Sequence, residues 1–264
     1  MPAQAIEGVS FCPAPGAAPM RRMIAAQAAL ETRTLLRNGE QLTLTIVIPL
    51  LLLAAFSTEN LISLGVPLSR IDFLTPGVIA LAVMSTAFTS QAIATGFERR
   101  YGVLKRLGAT PLSRSGLIAA KTATVVLVEL LQAAIIIVVA FALGWTPRAT
   151  GWAVLTVPLL VLLGTAAFSG LALAMAGTLR AEATLAAANL VYVVLLGIGG
   201  VVFPLTKFPA GARPLLELLP TGALSTGLRD ALGYGTGVPV KSVATLAIWA
   251  VVTITLAVRS FRWE

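Results

Sequence analysis

Residues 96–116, GFERRYGVLKRLGATPLSRSG, form a basic island between two long apolar runs. Its cations are Arg99, Arg100, Lys105, Arg106 and Arg114. Each cation at the centre of a bilayer would cost about 2.5–3.5 kcal/mol, so we expect the island in water beside a membrane. The whole composition agrees, because 57% of the residues are hydrophobic and 11% are charged, against about 25% charged in a soluble domain.

The island also carries a helical pattern. Tyr101, Leu104 and Leu107 recur at helical spacing, and basic side chains fall on the other side. The pattern ends at a group of helix-breaking residues, which are Gly108, Thr110 and Pro111. The sequence therefore predicts a short amphipathic helix at a membrane surface.

Apolar segments on both sides of the island are long enough to cross a bilayer. We predict an all-α integral membrane protein with six transmembrane helices, at about 41–57, 74–97, 117–143, 152–178, 184–203 and 241–258. The second span has a polar face, which suits burial against other helices rather than against lipid. The residues of that face are Ser85, Thr86, Thr89, Ser90 and Gln91.

Three further segments complete the predicted architecture. Residues 1–20 hold four prolines and no long apolar run, which indicates a disordered cytosolic tail before a transmembrane domain at 21–264. Residues 21–38 have an amphipathic pattern that suits a helix lying in the membrane interface. Residues 204–240 are broken by Pro and Gly, so we expect two short helices at or dipping into the interface.

Missing residue types exclude several chemistries. The sequence has no histidine, which removes His-ligated metal sites and His-based acid–base catalysis. A single cysteine, Cys12, cannot form an intrachain disulfide. The phosphate-binding pattern G-x-x-x-x-G-K-[ST] is absent, so we expect a chain that binds no cofactor and is not an enzyme.

The run FERRYGVLKRLGATPLSRS at 97–115 resembles the loop between the second and third spans of ABC-2 type transporter permeases. Residues 21–38 are similar to the elbow helix of that family. Leu219-Pro220 and Leu228-Arg229 stand where its pair of half-helices has Leu-Pro and Leu-Arg. The island departs in one detail, since the family often has a second acidic residue where Arg99 or Arg100 stands.

The resemblance implies that the island is a coupling helix that docks into a groove on a separate ATPase. The residues it assigns to coupling are Glu98, Arg99, Arg100, Tyr101, Gly102, Leu104, Lys105, Arg106, Leu107, Thr110 and Pro111. It implies a permease subunit that exports a drug, a lipid or another amphipathic molecule. Two permeases, identical or related, would form the pathway, and two ATPase subunits would bind ATP and Mg²⁺.

Within the spans, Glu129 is the plainest candidate for a functional site. It lies about 12 residues, or roughly 18 Å, into the third span, near mid-membrane, with Gln132 on the same face. It is either a contact for a polar or cationic substrate, a proton carrier, or a protonated or internally paired group that holds helices together. Gln91, Asn189 and Tyr192 are further candidates for the substrate pathway, although the last two also suit helix packing.

Two other classes of protein compete with this interpretation. A secondary transporter would use Glu129 as a proton-coupling site, but such folds usually show internal repeats, and we find none between the halves. An intramembrane enzyme is suggested by Ser169 between Phe168 and Gly170. That interpretation lacks a histidine base and paired carboxylates in the spans.

The distribution of cations predicts the topology. With six spans and both termini on one side, thirteen of the 19 Lys and Arg residues fall on the proposed cytosolic side. This bias favours cytosolic N- and C-termini in the cell membrane. It also accounts for the net charge of +8 through membrane lipid and a protein partner, without nucleic acid.

Overall fold

A computed structural model describes residues 16–37, 39–58 and 67–260. All regular structure in these ranges is helical, which confirms the all-α class. The α-helices are α1 (Met20–Arg37), α2 (Gly39–Thr58), α3 (Arg70–Met84), α4 (Gln91–Arg100), α5 (Val103–Gly108), α6 (Arg114–Ala142), α7 (Ala153–Thr178), α8 (Ala181–Ile198), α9 (Arg213–Leu218), α10 (Pro220–Arg229) and α11 (Val240–Ser260). Residues 1–15 of the predicted tail lie outside the described part of the chain.

Five helical stretches in the described ranges are long and apolar enough to cross a membrane: Arg70–Arg100, Ser115–Ala142, Ala153–Thr178, Ala181–Ile198 and Val240–Arg259. The predicted first span falls on α2. Its apolar described portion, Thr45–Ser57, is shorter than the roughly 20 residues that a span needs. The membrane class is therefore confirmed, and the count of six spans stays a prediction.

The helix at Arg70–Arg100 lies at the centre of the bundle and is almost entirely buried. It consists of α3, a π-helical turn at Ser85–Ser90, and α4. The helix begins four residues before the predicted span, because Asp72 is satisfied inside the protein: its Oδ1 accepts a hydrogen bond from the Thr146 amide at 3.0 Å. A buried carboxylate with such a donor can lie in the first turn of a helix, where its negative charge also interacts favourably with the helix dipole.

The helices α7 and α11 pack closely along their length, and small residues on α7 make this possible. A Cβ at Gly170 would lie 2.7 Å from the Ile254 amide nitrogen and would also clash with the Thr253 hydroxyl. With glycine there, the Thr253 hydroxyl donates to the Ala167 carbonyl at 2.9 Å. The small-residue spacing of the fourth span thus permits direct contact between helices.

The short helix α10 lies inside the bundle against α3, α7 and α11, with most of its residues buried. Arg229, at its end, donates from Nε to the Phe73 carbonyl at 3.0 Å and from Nη2 to the Val201 carbonyl at 2.7 Å. Its guanidinium lies 3.8 Å from the centre of the Phe73 ring. Arg229 therefore joins α10 to α3 and to the loop after α8, which holds α10 inside the bundle.

Candidate functional site

The basic island forms two helices rather than one. The helix α4 ends at Arg100, and Gly102 takes a left-handed conformation with φ of 71° before α5 begins. Glycine adopts that conformation without steric cost. After α5, the Thr110 hydroxyl donates to the Leu107 carbonyl at 2.6 Å, and the next helix is capped by the Ser113 hydroxyl. We call residues 98–111 the coupling segment.

The apolar stripe predicted on the coupling segment is divided between the protein interior and the surface. Leu104 is fully buried in a cluster with Leu112, Leu117, Leu173 and Ala257, and Leu107 packs partly against it. The expectation that Leu104 faces a groove on a partner is therefore wrong. The break at Gly102 rotates α5 relative to α4, so that Leu104 fixes the segment onto α6, α7 and α11 instead.

The outward surface of the coupling segment is formed by different side chains. Tyr101 is 68% exposed and Val103 is 40% exposed. The Tyr101 ring is stacked on Phe97, with 6.1 Å between ring centroids. The exposed residues around Tyr101 and Val103 include Lys105, Arg106, Gly108, Thr110 and Pro111. The surface has an apolar centre and a basic rim, as a protein-docking site requires.

Glu98, the first residue of the coupling segment, enters a buried ion cluster. Lys121 on α6 is only 4% exposed, and its Nζ lies 2.7 Å from Oε2 of Glu98 and 3.3 Å from Oε1 of Glu31 on α1. We call these three residues the Lys121 triplet. Gln27 donates to Glu31 at 2.8 Å. Burial raises the pKa of the Glu31 carboxyl, since its loss of water outweighs the attraction of Lys121 and the hydrogen bond from Gln27.

Arg99 and Arg100 contact the turn between α7 and α8. Arg99 donates to the Leu179 carbonyl at the end of α7, and Arg100 pairs with Glu182 in the first turn of α8. An open groove lies beside these contacts, with Arg180 in its wall. Three consecutive residues, Glu98 to Arg100, thus contact α6, the end of α7 and the start of α8.

Sequence reasoning missed the inward partners Glu31, Lys121 and Glu182. A signal for Lys121 was present, because it is the one Lys or Arg within the predicted third span at 117–143. Such a cation needs a counter-charge when it is buried. The identity of that partner could not be deduced, since Glu31 and Glu98 lie on separate helices.

Glu129 lies between α6 and α7 and is 3% exposed. Its Oε2 is 2.5 Å from the Thr165 hydroxyl oxygen, which in turn lies 2.8 Å from the Val161 carbonyl oxygen. A hydroxyl has one proton and cannot donate to both oxygens at once. Both contacts are satisfied together when the carboxyl group carries a proton and donates to Thr165.

Gln132 connects three helices. Its Oε1 accepts from the Thr86 hydroxyl at 2.9 Å, and its Nε2 donates to the Thr45 carbonyl at 3.2 Å. Tyr192 on α8 pairs with the side chain of Ser85. Both contacts reach the π-helical turn, so this turn is where the polar face of the central helix meets its neighbours.

The remaining pathway candidates lie apart from this network. Gln91 is buried, and neither polar atom of its side chain has a partner among the described residues. Asn189 is exposed on α8. In the described part of the chain, the pathway candidates therefore do not meet around one cavity. Within the same ranges, no group of three or more acidic or Cys residues is placed to hold a metal ion.

The family model for ABC-2 type transporters matches residues 25–232, which include the coupling segment, the central helix and α10. No curated protein matches the chain significantly. The match and the apolar helices identify a multi-pass membrane protein that transports rather than hydrolyses ATP, and that associates with an ABC ATPase. The chain belongs to the ABC-2 type transporter family and is a permease component of an ABC transporter.

Proposed function

We propose that this permease exports a drug, a lipid or another amphipathic molecule, and that its coupling segment receives the motion of an ATPase subunit. The proposal rests on one observation: one side of the coupling segment is held to the permease, and the other side is exposed. Glu98, Arg99 and Leu104 hold it to the permease, whereas Tyr101 and Val103 stay exposed. An exposed aromatic centre within a basic rim needs a protein groove, because the charges keep it out of the bilayer.

The working assembly contains two permeases and two ATPase subunits. The ATPase subunits bind ATP and Mg²⁺, and the permease binds no cofactor. When the ATPase subunits close on ATP, they move the coupling segments and switch the pathway between the two permeases from inward to outward access. The second permease is a copy of this chain or a relative of it, and the pathway includes Glu129, Gln132, Gln91, Asn189 and Tyr192.

In this proposal the protein lies in the cell membrane, with both termini in the cytosol. The contacts of the coupling segment support this orientation, since they bring residues 98–111, Lys121 and Arg180–Glu182 to one end of the bundle. The opposite end holds Asp72, Thr146 and Arg229. The basic end suits the cytosolic leaflet, whose anionic lipids attract it.

The docking surface is tested by copurification with the ABC ATPase subunit of the transporter. Replacing both Tyr101 and Val103 by Ala should release the ATPase at moderate salt. The matched control is Leu215→Ala on α9, an apolar side chain that is 69% exposed away from the coupling segment. Equal ATPase retention in the double variant and in the control would refute the docking surface.

A proton-coupled secondary transporter remains the competing function, because the carboxyl group of Glu129 is buried near the middle of α6. Proteoliposomes containing the permease and the ATPase separate the two functions. Uptake of a fluorescent amphipathic dye into these proteoliposomes should require ATP. It should continue when the proton gradient is collapsed. Dye movement driven by the proton gradient without ATP would instead favour the secondary transporter.

A further inference from the structure

We propose that Lys121 is a positioning residue for energy coupling, through which a displacement of the coupling segment reaches α6. This inference rests on the proposed function, and it concerns residues on the permease side of the segment. Lys121 does not face the partner, because it is buried between α1, α4 and α6.

Lys121 lies on the face of α6 that meets the coupling segment. Leu117 and Lys121 are four residues apart on α6, so they lie on the same face, one turn from each other. Leu117 belongs to the same buried cluster as Leu104 of α5, and Lys121 pairs with Glu98 of α4. One face of α6 therefore holds both parts of the coupling segment, on either side of the break at Gly102.

The two ion pairs of the coupling segment differ in their exposure to water. The Arg100–Glu182 pair is more than half exposed on both sides, and water weakens such pairs. In the pair of Lys121 with Glu98, the Lys121 side chain is 4% exposed and the Glu98 side chain 26%, so separating the pair would leave an unpaired lysine charge in the interior. The Lys121 triplet therefore stays together when the segment moves, and α6 must follow.

The two carboxylates that pair with Lys121 belong to different parts of the chain. Glu98 belongs to the coupling segment, whereas Glu31 belongs to α1. Each carboxylate alone balances the charge of Lys121. Neutralising either of them leaves one ion pair in place, so the two substitutions form a matched pair that separates transmission from packing.

The experiment uses the complete permease–ATPase complex in nanodiscs, in a Cys12→Ser background. Spin labels at Phe141, near the outer end of α6, and at Val238, before α11, report a distance with and without ATP plus vanadate. The variants are Glu98→Gln, Glu31→Gln and the triple variant Glu31→Gln/Glu98→Gln/Lys121→Met. Copurification of the ATPase and the melting temperature are recorded for each variant.

We expect Glu98→Gln to lose most of the ATP-driven distance change while it retains the ATPase, and Glu31→Gln to keep the change. The triple variant has no buried charge left, so its melting temperature should return towards that of the unmodified protein while the distance change stays lost. A normal distance change in Glu98→Gln or in the triple variant would overturn the role of Lys121. Equal losses in Glu98→Gln and Glu31→Gln would also overturn it.

The proposed function fails in a different way. If the unmodified permease neither retains the ATPase nor shows an ATP-driven distance change, the coupling segment has no ATPase partner. A failure confined to the variants, with a responsive unmodified complex, concerns the Lys121 triplet alone.

Discussion

Leu104 is fully buried inside the permease, whereas Tyr101, three positions earlier, keeps 68% of its surface exposed. The left-handed turn at Gly102 separates the two residues. Leu104 therefore contributes to the stability of the permease, and Tyr101 is available to a partner.

Alanine substitutions at these two positions should affect different properties, namely stability at Leu104 and ATPase binding at Tyr101. Leu104→Ala should lower the free energy of unfolding by about 2–5 kcal/mol, because it leaves a cavity among tightly packed side chains. Tyr101→Ala should leave stability unchanged and weaken ATPase binding by about 2 kcal/mol, or roughly 30-fold in Kd. Thermal unfolding and titration of the purified ATPase measure the two effects. A stable Leu104→Ala protein would contradict the burial of this side chain.

The Lys121 triplet should make stability depend on pH. It holds two acids and one base, and burial raises the pKa of Glu31 above its ordinary 4.5. Because the folded state favours protonated Glu31, this group destabilises the fold as pH rises from about 4.5 through the raised pKa. Glu31→Gln should remove this loss of stability. Thermal unfolding of both proteins between pH 4.5 and pH 7 tests the sign, and a steeper loss in the variant would contradict it.

Glu129→Gln should preserve folding and report whether the proton has a role in transport. The amide can form a hydrogen bond with the Thr165 hydroxyl, as the carboxyl group does, so the melting temperature should stay close to normal. We expect a larger effect on transport than on assembly. The control is Glu129→Leu, which leaves Thr165 without this partner and should unfold more easily. Normal transport with a clear loss of stability in Glu129→Gln would assign Glu129 to helix packing alone.

Gly170→Val should disrupt the contact between α7 and α11. A Cβ at this position meets backbone atoms of α11, so the helices must separate and the Thr253 hydrogen bond to Ala167 is lost. Overpacking of this kind typically costs about 1–3 kcal/mol. Gly197→Val is the matched control, because a Cβ there meets nothing within 4 Å. Equal melting temperatures for the two variants would contradict the close contact.

The sequence sufficed to predict the membrane class, the all-α fold and most of the helices that are long and apolar enough to cross a membrane. Hydropathy and charge decide these features locally, because a charge in the bilayer is costly wherever it stands in the chain. The polar face of the second span also indicated burial, and Thr86 and Gln91 are indeed buried.

The direction in which each side chain points could not be predicted. The spacing of Tyr101, Leu104 and Leu107 assumes one straight helix, and the turn at Gly102 breaks that assumption. The packing of α10 inside the bundle depends on Arg229, which reaches carbonyl groups of Phe73 and Val201 that are far away in sequence. Contacts of this kind depend on tertiary structure, and local periodicity does not encode them.

The π-helical turn at Ser85–Ser90 has a consequence for how the two ends of the central helix are aligned. Such a turn holds one more residue than an α-helical turn, and each residue of an α-helix turns the chain by about 100°. Deleting one residue there would restore a regular helix and swing Glu98 by about 100° away from Lys121, while Asp72 stayed beside Thr146. The angular position of Glu98 relative to Asp72 is therefore set by the one extra residue in the π-helical turn of the central helix.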